Sequence, residues 1–86
     1  MKTFWMLVAQ YEGKTVIPVD VVVSDYFHHL TLPKFLRKVS DGNIKLPIMR
    51  MEDSQKSAKG VDVRDLAAYL DERREEGLRE FRQLHD

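Results

Sequence analysis

The chain of 86 residues has no cysteine, three prolines, four glycines, no net formal charge and no long apolar run. Each shortage removes a class of protein. Without thiols, neither a disulfide framework nor a thiolate metal site can stabilise the fold, and no redox compartment is demanded. The longest apolar stretch near the start, Phe4 to Ala9, is too short to cross a bilayer and lacks the small-residue cleavage site of a secretory signal. A soluble, cytoplasmic protein without a membrane partner is expected. So small a chain buries a modest fraction of its surface, which predicts one marginally stable domain, no deep substrate cavity and a use for a partner subunit. No internal repeat, linker or low-complexity tract is visible.

Zero net charge argues against a uniformly basic nucleic-acid binder, yet the charge is unevenly spread. From Thr31 to Gly60, seven basic residues (Lys34, Arg37, Lys38, Lys45, Arg50, Lys56 and Lys59) face three acidic ones (Asp41, Glu52 and Asp53). The balance lies elsewhere: five arginines against eight acids from Val61 onward, and a net of −1 in the first thirty residues. The middle third is a basic face if its residues converge.

Apolar spacing predicts the elements. Phe4, Leu7, Val8 and Tyr11 fall at i, i+3, i+4 and i+7, a helix that Gly13 would end in a left-handed cap. The valines of "TVIPVDVVVSDYF" favour a strand by propensity, but Val19, Val22, Val23, Tyr26 and Phe27 share a helical face, so a helix is expected from about Val19 to Phe27. Thr31 is a suitable N-cap for a helix carrying Leu32, Phe35, Leu36 and Val39 inward, with Gly42 as its stop. Lys34, Arg37, Lys38 and Asp41 form its outward arc, and the two helices are close enough in sequence to make a helix-turn-helix. "IKLPIMRMED" reads as a strand with Ile44, Leu46 and Ile48 alternating, kept to an edge or a strand start by Pro47. After "SQKSAKG", the short "VDV" returns as a second strand, with Gly60 letting the chain turn back. Asp62 with Asp65 resembles a capping box for a last helix whose core face is Leu66, Ala67, Tyr69 and Leu70. Leu78, Phe81 and Leu84 resume the apolar pattern too late to serve the core and are candidates for an oligomer contact.

Several chemistries lack support. "EGKTV" ends like a phosphate-binding loop, but Val8 stands where that motif needs its first glycine. Adjacent His28 and His29 cannot both face one metal from a regular element. No nucleophile signature is present, so no enzyme, cofactor or metal is expected. Trp5 reads as core or dimer interface, Met49 and Met51 as gap fillers, and Arg73 to Glu76 as a solvated helical face.

The order helix, turn, basic helix, hairpin with a basic polar tip, helix is that of a winged helix-turn-helix, an α+β fold. In such a unit the second helix lies in the major groove and flanking lysines neutralise phosphates. The whole chain, 1–86, is one domain in this scheme: N-terminal helices over 1–30, a recognition helix over 31–42, a wing over 44–63 and a C-terminal helix over 63–86. The DNA-facing candidates are Thr31, Pro33, Lys34, Arg37, Lys38 and Arg50, with Ser54, Gln55, Lys56, Ser57 and Lys59 at the hairpin tip.

"MLVAQYEGKTVIPVD", "DYFHHLT", "LRKVSDGNIKLPIMR", "SQKSAKGV" and "DLAAYLD" together resemble the pyocin activator protein family of small bacterial and prophage-encoded regulators. The resemblance runs from roughly Met6 to Asp71. It implies a winged helix similar to small excisionases and to the DNA-binding part of MerR-type regulators. It also implies activation of phage-like bacteriocin genes, with Lys34, Arg37 and Lys38 facing the groove and Ser54 to Lys59 as the wing. The expected partner is double-stranded DNA at the bacterial nucleoid, bound by a homodimer or cooperative oligomer that meets RNA polymerase or a recombinase. Two alternatives stand beside the activator: an excisionase-like factor that bends DNA, and a protein-interaction adaptor.

Overall fold

The sequence folds as α1 (Lys2–Gln10), β1 (Val16–Pro18), α2 (Val19–Tyr26), α3 (Leu32–Ser40), β2 (Met49–Arg50), β3 (Lys59–Asp62) and α4 (Val63–His85) in a computed structural model describing residues 2–54 and 56–85. Four helices and one three-stranded antiparallel sheet make the class α+β among the described residues, an arrangement compatible with a small winged helix. Among the described residues, no helix is long and apolar enough to cross a membrane.

Helix α3 begins and ends where local chemistry predicts. In α3 the Lys34 amide donates to the Thr31 hydroxyl at 3.4 Å, while Asn43 and Gly42 amides return to the carbonyls of Lys38 and Val39. That is a Schellman closure, with Gly42 in the left-handed region at φ 79°. The end of α1 differs from expectation. Its Gly13 amide donates to Val8 and its Glu12 amide to Ala9, so Glu12, at φ 57°, occupies the left-handed position and Gly13 follows it at φ 81°. A side chain sits where glycine costs least.

The sheet is larger than the predicted hairpin. Its order is β1-β3-β2, with Ile17 opposite Val61 and Met49 opposite Gly60. Valine propensity in the segment before Pro18 carried a strand that helical periodicity overshadowed. Pro18 is tolerated because β1 is an edge strand. The predicted strand over Ile44 to Ile48 is corrected: these residues lie outside the ladder, which begins at Met49. Their alternation is real, since Ile44 and Leu46 are buried while Lys45 and Pro47 are exposed, but Pro47 offers no amide to a ladder. Gly60 is likewise not at the turn. It is paired within β3, and a Cβ there would stand 2.5 Å from Val16 Cγ1, so glycine is required by the close approach of β1.

One core joins these elements. Ile17, Val22, Phe35, Leu46, Val61 and Leu66 are its most completely buried side chains. Phe35 links α3 to the chain after α2 by packing on Phe27, ring centres 4.9 Å apart, and Phe27 in turn meets Tyr69 of α4. Helix α1 lies along α4, where the Thr3 hydroxyl donates to Asp71. It is tied to α2 by the Tyr11 hydroxyl, which donates to Asp25 at 2.6 Å; burial, then that hydrogen bond, pushes the phenol pKa up. Trp5 is not a core residue: it is 62% exposed, with its edge against Phe4.

Asp62 caps α4, but its partner is Arg64 and not Asp65. The carboxylate accepts from the Arg64 amide at 2.8 Å and forms an ion pair with its guanidinium. These bonds from Arg64 hold the Asp62 pKa down at about 2 against the opposing effect of burial.

Candidate nucleic-acid interface

The position of α3 follows from which of its faces is apolar. Phe35 is buried, and Leu32, Leu36 and Val39 pack against the core around it. At about 100° per residue this turns Lys34, Arg37, Lys38 and Asp41 away from the protein, and all four are exposed, as are Thr31 and Pro33. Among the described residues, no ion pair links Lys34, Arg37 or Lys38 to a carboxylate. Their charge is available to an external partner.

The hairpin stands beside this helix. Arg50 and Lys59 are register partners across β2 and β3. They line a shallow groove with Leu36, Val39 and Ser40 of α3 and with Ile48. Ser40 lies beside Leu36 on the helical wheel, followed by Pro33 and then Arg37, so Arg37 is the cation at the edge of the arc nearest the hairpin while Lys34 and Lys38 are farther round. Ser40 was absent from the predicted residues. Its position three after Arg37 and four after Leu36 is the signal that placed it at this border.

The "SQKSAKG" tip is a built turn. Ser54 accepts the Lys56 amide on its hydroxyl at 3.1 Å and the Ser57 amide on its carbonyl at 3.1 Å. The Ser57 hydroxyl accepts from the Glu52 amide at 3.0 Å and donates to the Ala58 carbonyl. Both hydroxyls thus organise the loop, and Lys56 is left exposed on it. Gln55 lies outside the described residues.

Not every middle-third cation joins this surface. Lys45 lines a different hollow with Asn43 and with Tyr69, Glu72, Arg73 and Glu76 of α4. Chain position alone overcounted the basic face by this residue. His28 and His29 are exposed, and no group of three or more metal-ligating side chains occurs among the described residues.

A sequence model described as pyocin activator protein PrtN matches residues 3–77. The chain belongs to the pyocin activator family. For this family member, no curated protein and no solved structure matches. The matched region covers α1 through β3 and the inner part of α4, so the pyocin activator pattern includes both α3 and the hairpin; residues 78–86 fall beyond it.

Proposed function

We propose that the protein is a winged helix-turn-helix regulator that binds double-stranded DNA with sequence preference and activates pyocin-like bacteriocin genes. Helix α3 enters the major groove, Arg37 reads a base edge, and Lys34 and Lys38 contact phosphates on the groove walls. The hairpin tip runs along the backbone with Lys56 as a phosphate contact. The protein acts by binding at the nucleoid and requires no chemistry or cofactor.

One observation carries this reading: the outward arc of α3 holds three exposed cations with no carboxylate partner among the described residues, beside a groove that the basic pair of the hairpin also lines. Family membership supports the regulatory role. An adaptor that met an acidic protein would also use cations, but the narrow helix flanked by a hairpin suits a duplex groove. The test is selection of bound genomic fragments followed by footprinting. Protected sites upstream of pyocin-like genes are expected. Protected arrays beside a recombination core would instead support an excisionase role, and no protection would contradict the reading.

A further inference from the structure

Helix α4 outruns the body it packs on. Its inner half is anchored by Val63, Leu66 and Ala67, all buried, while Phe81 and Leu84 are 59% and 79% exposed. At about 100° per residue, Val63, Leu66, Leu70, Gly77, Phe81 and Leu84 lie within an arc of about 60°. The outer residues therefore continue the same apolar stripe that closes the core, beyond the point where there is a core to close. Leu78 sits at the edge of that stripe.

The charges around it have a symmetry. Two, three and five residues before Gly77 stand Glu75, Arg74 and Glu72; two, three and five after it stand Arg79, Glu80 and Arg82. Each pair is opposite in sign. Beside the stripe, Arg73 and Glu80 lie on one edge, on either side of Gly77. The sequence-symmetric pairs lie mostly on the outward face, but along this edge the helix is complementary to itself run in the opposite direction. Run in parallel, it would set Arg73 near Arg74 of the other copy, like against like. Gly77 fits the crossing point, since a Cβ there would meet nothing within 4 Å and its absence lets two backbones approach.

We infer that the outer half of α4 pairs with the same segment of a second copy, antiparallel, about a two-fold axis near Gly77. Leu70 of one protomer meets Leu84 of its partner, and Arg73 meets the Glu80 carboxylate across the seam. Self-complementarity selects a second copy over an unrelated helix, because only a self-pairing surface has to satisfy it. The pairing does not rest on DNA binding. Joined to the reading of α3, it makes the target an inverted repeat.

The absence of native cysteine makes the direction measurable. In the full chain, G77C is expected to form a disulfide-linked dimer on mild oxidation, whereas L84C alone is not, because the two Leu84 positions lie at opposite ends of the seam. Mass in solution supplies the second arm. The chain should sediment at twice its 10.1 kDa at about 100 μM, a high concentration chosen because so short a seam is smaller than the ~1,200 Å² of standard interfaces. Arg73→Glu should weaken the dimer about tenfold, and adding Glu80→Arg in the same chain should restore it, since the reversed charges match again. Linking through L84C but not G77C, a monomer at that concentration, or no rescue by the double reversal would each overturn the inference. Sedimentation without DNA keeps its failure separate from any failure of the DNA reading.

Discussion

Helix α3 and the outer half of α4 are both amphipathic and both heavily charged, and they differ in how charge is balanced. On α3, Lys34, Arg37 and Lys38 share an arc with one acid, Asp41. On α4, arginines alternate with glutamates, and Glu76 already pairs with Arg79 within the helix, which lowers the Glu76 pKa and raises that of Arg79. An uncompensated arc stores attraction for an outside anion, while a compensated one has spent its charge locally or on a matching copy. The apolar faces differ in the opposite sense. That of α3 is anchored in the core by the fully buried Phe35, with Leu32, Leu36 and Val39 half-buried around it, whereas that of outer α4 is open.

The largest expected effect breaks this difference in apolar faces. Phe35→Ala should destabilise the protein by about 3 to 5 kcal/mol, enough to unfold most of so small a domain, because it opens a cavity beside Phe27. Leu84→Ser should leave monomer stability within about 0.5 kcal/mol. Denaturant melts of both variants under monomeric conditions check the contrast, and similar losses would erase it.

The next effect sharpens the charge comparison within the candidate interface. Arg37→Ala should cost about 1 to 3 kcal/mol of discrimination between a selected site and a mismatched one. Lys56→Ala should weaken all duplexes alike and reduce the salt slope by about one. Competition binding on matched and mismatched duplexes separates them, and equal behaviour would show that Arg37 does not read a base.

A smaller effect comes from the compensated charge at the root of α4. Asp62 titrates at about 2 when folded and near 3.9 when unfolded, so its contribution is present above about pH 4 and is lost as pH falls through about 2. With Arg64 largely exposed, the contribution is on the order of 1 kcal/mol. Asp62→Asn should remove that part of the acid dependence, seen in unfolding free energies measured between pH 5 and pH 2. The smallest effect compares how α1 and α3 end. Glu12→Gly should stabilise the protein by up to about 1 kcal/mol, since it gives α1 the glycine that α3 already has at Gly42. Thermal melts read it.

The helices were legible in the sequence because their apolar residues recur at helical spacing and their caps are local: Thr31 and Gly42 bound α3 by bonds that span three to five residues. The sheet was less legible. Val16 pairs with Asp62 across most of the chain, and nothing local records that β3 will be its neighbour. The same distance hid the reason for Gly60, whose constraint is a side chain forty-four residues earlier. Within the candidate interface, the outward arc of α3 could be read from periodicity, and composition marked the hairpin tip. Whether a polar residue is internal or available could not be read, because Ser54 and Ser57 differ from free serines only by hydrogen bonds within the turn. Lys45 shows the same limit, since only the packed chain sends it towards α4.

The account rests on α3 meeting a polyanion through unbalanced charge, and the most direct test is the salt dependence of duplex DNA binding. For the full-length protein, log affinity should fall linearly and steeply with log salt, by close to one unit of slope for each phosphate neutralised. Replacing Lys34, Arg37 and Lys38 together with alanine should flatten that slope by two to three units while the fold is retained. A slope unchanged by the triple replacement, or no duplex binding at low salt, would contradict it.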